Sequence, residues 1–155
     1  MELILLTHSR ELQKASNTGR LISETFSNVR IIIWQRTEPD QYLLSLISSG
    51  ETALIYPGEN SYSSESLIQY KHFILIDSTW QEARKIYNRS PYLHNLPCIE
   101  LSTEKASRYN LRRNQLENGL CTAECAIELF KQTNCSKEAD LLEQKFLLFT
   151  GNSNV

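Results

Sequence analysis

Short apolar runs alternate along the chain with stretches whose apolar positions fall three and four apart. The runs lie at residues 3–6, 29–34, 52–56, 73–76 and 99–101. Runs of this length, rich in aliphatic and β-branched side chains, read as buried strands of a parallel sheet. The stretches at residues 18–26, 39–48, 79–88 and 122–133 carry helical spacing. A last one, at residues 137–149, sets Leu141, Leu142, Lys145, Phe146 and Phe149 on that spacing and predicts a helix packed on the sheet. Strand and helix in alternation predict an α/β fold: a mostly parallel sheet with helices on both faces. Two stretches break the pattern. Residues 57–66 hold Gly58, Asn60 and four serines, residues 102–119 are polar and basic, and both read as long loops.

The chain has 155 residues, of which 41% are hydrophobic and 22% charged. That length predicts one domain over residues 1–150 and a frayed tail at 151–155. No apolar run approaches the ~18 residues of a membrane span, so a soluble protein without membrane contact is expected. The opening residues are apolar but have no basic leader and meet His8, Arg10 and Glu11 at once, as a first strand does and a signal peptide does not. Cys98, Cys121, Cys125 and Cys135 form no CxxC pair and have no histidine at metal-ligand spacing. Free thiols in a reducing cytoplasm, and no metal site, are the expectation. A net charge of -2 argues against coating nucleic acid by bulk charge and leaves only local patches.

Chemistry concentrates at the ends of the predicted strands. Asp77-Ser78-Thr79-Trp80 follows directly on the run at 73–76 and opens a helix, where ligands of parallel sheets bind. By itself Asp77 or Ser78 is also a sufficient helix cap, and Trp80 a sufficient core residue. Beyond the first strand stand His8, Glu11 and Asn17-Thr18-Gly19-Arg20, with Asn17 or Thr18 placed to cap a helix. The third strand ends in Tyr56-Pro57-Gly58, a sharp turn. Lys105, Arg108, Arg112 and Arg113 place four positive charges near Tyr109, a composition suited to phosphate and base contacts. Thr122 is placed to cap the next helix, with Glu124 in its first turn.

Taken in order, these segments resemble the DTW-domain family of tRNA-uridine aminocarboxypropyltransferases. The matching residues are His8 and Glu11 with Asn17-Thr18-Gly19-Arg20, then Tyr56-Pro57-Gly58, then Asp77-Ser78-Thr79-Trp80 with Glu82-Ala83-Arg84-Lys85, then Tyr109-Leu111-Arg112 with Leu120-Cys121-Thr122-Ala123-Glu124. The resemblance implies a SPOUT-like α/β domain whose C-terminal segment threads a trefoil knot, with S-adenosylmethionine held in the knotted loops. It implies Thr18, Tyr56, Pro57, Gly58, Ile76, Thr79, Trp80, Leu120 and Thr122 around that cofactor. Asp77 and Trp80 would be the catalytic pair, with Asp77 accepting the imide proton or holding the uracil edge. His8, Arg20, Arg84, Arg108 and Arg112 would bind RNA phosphate or the carboxylate of the transferred arm. The implied reaction moves the 3-amino-3-carboxypropyl group to N3 of a tRNA uridine and leaves methylthioadenosine. A SPOUT-type RNA methyltransferase and a non-catalytic RNA-binding domain are the alternatives. The partner implied is tRNA, and the assembly a monomer or a homodimer. Members of the family commonly carry a cysteine-rich segment ahead of the first strand; here the first strand stands at the start of the sequence, so the RNA contacts such a segment supplies are expected to be absent or replaced.

Overall fold

In the computed structural model, which describes residues 1–57, 61–101 and 120–151, the five apolar runs lie side by side in one parallel sheet. The strands are β1 (Glu2–Thr7), β2 (Val29–Ile33), β3 (Thr52–Ile55), β4 (His72–Asp77) and β5 (Cys98–Ile99), in the order β2-β1-β4-β3-β5. β1 and β4 pair along their whole length, from Glu2 against His72 to Thr7 against Asp77. Alternate side chains of this central pair go to opposite faces. Leu3, Leu5, Phe73 and Leu75 enter one core, and Ile4, Leu6 and Ile74 enter the other, all of them buried. With both faces covered, no polar alternation is required of these strands, which is why they read as continuous apolar runs.

The helices are α1 (Gly19–Thr25), α2 (Gln41–Ser48), α3 (Trp80–Asn88), α4 (Thr122–Gln132) and α5 (Ser136–Phe149). α1, α4 and α5 cover the first face through Leu21, Ile22, Ile127, Phe130, Leu142 and Phe146. α2 and α3 cover the second through Leu43, Leu46 and Ile86. Each fully buried Phe or Leu contributes ~1.5–3 kcal/mol relative to exposure, so these two layers carry most of the apolar stabilisation.

The connections obey one hand. Moves toward the β2 edge cross the first face, by α1 after β1 and by a 3-10 turn (Ser64–Gln69), with buried Leu67, after β3. Moves toward the β5 edge cross the second face, by α2 after β2 and α3 after β4. Opposite directions on opposite faces are what right-handed crossovers require. β1 and β4 are neighbours, yet the chain leaves them toward opposite edges. The crevice above their carboxyl ends is therefore the switch point of the sheet, the usual ligand position in such folds.

The structure adjusts several expectations. β5 pairs only through Cys98 and Ile99, against Leu54 and Ile55, rather than running over 99–101. The 3-10 turn occupies part of the stretch expected as loop at 57–66, because Leu67 just beyond it needs a buried seat. α5 packs chiefly on α4 and α1 instead of the sheet, which leaves Leu141 43% exposed. α2 begins at Gln41, after Pro39, because Asp40 accepts the Leu43 N–H at 3.0 Å. Asp40→Ala should lower stability by ~1 kcal/mol, read as an earlier urea midpoint at unchanged slope. The expected knot depends on the path of residues 102–119, which lies outside the described residues. Among the described residues no helix is long and apolar enough to cross a membrane. All four cysteines are free thiols.

Candidate functional site

Asp77 ends β4 and is 2% exposed. A buried carboxylate must be satisfied by donors, and here they come from the segment that joins β1 to α1. Asn17 Nδ2 donates to Oδ1 at 3.0 Å and to Oδ2 at 2.9 Å, and Thr7 Oγ1 lies 3.3 Å from Oδ2. The same Asn17 amide stands 3.4 Å from Oε1 of Glu11, a second buried carboxylate that pairs with Lys14 at 3.2 Å. Asn17 Oδ1 accepts the Arg20 N–H at 3.1 Å and so caps the first turn of α1. One asparagine thus ties two buried carboxylates to a helix start. Gly19 passes directly over the Asp77 carboxylate: an added Cβ would stand 2.7 Å from its Cγ, so glycine is required here by closeness of approach.

The caps differ from the sequence expectation. Thr79, not Asp77 or Ser78, caps α3 by accepting the Glu82 N–H at 3.2 Å. Cys121, not Thr122, caps α4, where Glu124 returns to the Cys121 N–H at 3.2 Å in a reciprocal box. Thr18 is fully buried and its hydroxyl accepts the Ala123 N–H at 3.0 Å. The segment that holds Asp77 therefore also holds the start of α4.

Beside this centre a narrow cleft opens between β3, β4, α3 and α4. Ile55, Tyr56, Leu75, Ile76, Ser78, Trp80, Ala83, Leu120, Thr122 and Cys125 line it. It brings together Tyr56, Ile76, Trp80, Leu120 and Thr122, from three segments that the sequence holds far apart. Trp80 Nε1 donates to the Leu120 carbonyl at 2.9 Å and draws the two walls together. The enclosed space is about 20 Å³, close to the room one water takes by such a measure. Burial, then the Glu124 and Glu128 carboxylates, push the Cys125 thiol up to about 12. It stays protonated and unreactive at neutral pH.

Tyr56 also forms one wall of a wider groove of about 890 Å³, lined with Pro57, Tyr62, Arg84, Tyr87, Asn88, His94, Asn95, Leu96, Pro97 and Cys98. Tyr56 and Tyr87 stack at 4.5 Å between centroids, and Tyr87 meets the His94 ring at 4.6 Å. Burial raises the Tyr56 hydroxyl above its ordinary value, partly offset by the Arg84 charge. Sequence reasoning placed Arg84 among the binding residues and passed over Tyr87, His94 and Asn95. The available signal was helical: Trp80, Arg84, Tyr87 and Asn88 recur at four, three and one along one side of α3.

The other expected residues are placed elsewhere. His8 accepts the Arg10 N–H at Nδ1, at 3.1 Å, and its ring lies 5.8 Å from Trp34. Arg20 donates to the Ala15 carbonyl at 3.3 Å and covers the Phe149 ring at 5.2 Å. Neither lines the cleft or the groove, nor do Thr18, Thr79 and Asp77. Gly58, Arg108 and Arg112, with Lys105, Tyr109 and Arg113, lie outside the described residues. Among the described residues no group of His, Cys, Asp or Glu is arranged to hold a metal ion.

Comparison with known proteins agrees with the residue pattern. The DTW domain model matches residues 1–153. The tRNA-uridine aminocarboxypropyltransferase 2 of Drosophila melanogaster is 26% identical over 137 residues, which cover 82% of this chain and 54% of that protein. The protein of the same name from Mus musculus is 28% identical over 109 residues, 65% of this chain and 37% of that one. The one from Macaca fascicularis is 26% identical over 133 residues, 80% and 45% respectively. The chain spans about half the length of these relatives or less. No solved structure matches it.

Proposed function

The chain belongs to the DTW-domain family, and from that premise we propose that it is an S-adenosylmethionine-dependent tRNA-uridine aminocarboxypropyltransferase. The observation that carries the reading is the convergence of Tyr56, Ile76, Trp80, Leu120 and Thr122 on one cleft beside the switch point. In kind these residues fit the cofactor: Tyr56 and Trp80 offer rings to a flat adenine, and Ile55, Leu75, Ile76 and Ala83 offer an apolar floor. For the adenosine to enter, Trp80 has to part from the Leu120 carbonyl. The bonds from Trp80 to Leu120 and from Ala123 to Thr18 seat the start of α4 against two earlier loops. That seating is consistent with a C-terminal segment threaded as a SPOUT-like knot.

When bound, the cofactor supplies an electrophilic carbon next to a sulfonium. In the transfer, N3 of uridine would lose its proton to solvent and bond to that carbon as the carbon–sulfur bond breaks, with methylthioadenosine as the leaving group. The task of the chain is orientation, since the amino-acid arm and not the methyl group must face the nitrogen. Tyr56 and Trp80 shape the pocket for this. Asp77 acts as a positioning residue: through Asn17 and Thr18 it holds the segment that sets the start of α4.

The test is incubation of the protein with bulk tRNA and carboxyl-labelled S-adenosylmethionine. Label entering RNA, with methylthioadenosine as co-product, is the expected result. Label staying out of RNA while S-adenosylhomocysteine accumulates would identify a methyltransferase. No turnover with intact RNA binding would identify a non-catalytic domain.

A further inference from the structure

We propose that the groove between α3 and β5 is the seat of an unpaired nucleotide of the substrate RNA, with Arg84 on its phosphate. The proposal rests on RNA being the substrate, as read above. A volume of about 890 Å³ lies within the ~300–1,000 Å³ of small-ligand pockets and is far larger than the neighbouring cleft. Its walls are aromatic on two sides. Tyr56 stacks on Tyr87 at an interplanar angle of 16°, and His94 meets Tyr87 tilted at 46°. Tyr62, 55% exposed, enters from β5 through its bridge to Ile99. Rings at a groove wall accept any base by stacking, but only a base that has left its own stack.

The stack is also held rigid. His94 Nε2–H donates to the Tyr87 carbonyl at 2.7 Å, since a carbonyl can only accept, and this pins the imidazole against the tyrosine. Asn88 and Asn95 line the same space and offer both donor and acceptor to a base edge. Arg84 is exposed and, among the described residues, has no carboxylate partner. Lys85 on α3 and Arg89 at its C-cap are also exposed, outside the groove lining. In a chain of net charge -2, Arg84 sets a positive charge in the lining beside the rings, the combination that binds single strands. Tyr56 is shared by groove and cleft. A nucleotide in the groove therefore lies against the wall behind which the cofactor is proposed to bind.

The test uses a labelled octauridylate, single-stranded or annealed to its complement, with no cofactor present and binding read by fluorescence anisotropy. The wild-type chain should bind the single strand at least about tenfold more tightly than the duplex. Tyr62→Ala combined with His94→Ala should weaken single-strand binding by about tenfold or more, one lost stack. Arg84→Gln should weaken it with a salt slope shallower by about one. All three positions are exposed, and unchanged melting curves would certify the fold. Equal affinity for single strand and duplex, no binding by the wild type, or wild-type binding by the groove variants would each overturn the proposal. Groove variants that lose S-adenosylmethionine binding by calorimetry while keeping RNA affinity would overturn it too, and assign the groove to the cofactor. Because no turnover is read, a failed transfer assay with groove-dependent RNA binding would count against the reaction and not against the groove.

Discussion

Asp77→Ala is expected to lower aminocarboxypropyl transfer to tRNA by about 100-fold or more, the size of loss that a displacement of ~1 Å produces in an oriented site. Its carboxylate is the acceptor for both contacts of the Asn17 amide, at 3.0 and 2.9 Å, and for Thr7. Removing it strands buried donors at a cost of ~1–3 kcal/mol, enough to loosen the segment while the sheet stays folded. Thr18 is next in sequence and holds the Ala123 N–H, and α4 brings Thr122 and Cys125 into the cleft. The disturbance thus reaches the cleft although Asp77 does not line it. Asp77→Asn separates a positioning role from a direct one, because its amide oxygen can still accept from Asn17. Activity within about tenfold of wild type, with the pH profile of kcat unchanged, is expected for positioning. An Asn variant as inactive as Ala, at an unaltered melting temperature, would place the carboxylate on the uracil itself.

Gly19→Ala should damage both stability and activity. The backbone of Gly19 is helical and open to any L residue, so conformation is not the obstacle. The added methyl would stand 2.7 Å from Asp77 Cγ and 2.9 Å from Oδ1, and nearer still to Oδ2. Carboxylate and backbone must separate, and overpacking of this kind costs ~1–3 kcal/mol. An earlier urea midpoint of that size is expected, with transfer activity as low as in Asp77→Ala. A Gly19→Ala protein of wild-type stability and activity would mean that the carboxylate is free to turn aside. The double variant Gly19→Ala with Asp77→Ala relieves the clash and should be more stable than the sum of the single changes, since contacting sites do not add.

The helices and strands were legible because burial on two faces writes itself into the chain as apolar runs and helical spacing. Residues 3–6 and 73–76 lie within β1 and β4. α5 was legible as a helix but not its partner, because its apolar stripe packs as well on α4 and α1 as on a sheet. Caps were the weakest reading. Asp77, Ser78 and Thr79 are all competent caps in sequence, and Thr79 takes the place because Asp77 is drawn the other way by Asn17. Cys121 is a poor capping type, yet it stands at the start of α4 because Glu124 returns to its N–H.

By itself, the order of the short motifs identified the family, and the alternation of runs the α/β class, since both depend on residues near one another in the chain. Convergence on the cleft required the sheet. Tyr56, Trp80 and Leu120 meet because the parallel strands β3 and β4 end, and α3 and α4 begin, at one edge of the fold. The burial of Asp77, its bond to Asn17 across 60 positions and the stack of Tyr56 on Tyr87 are likewise long-range contacts. They are set by strand order and crossover hand, which no local spacing encodes.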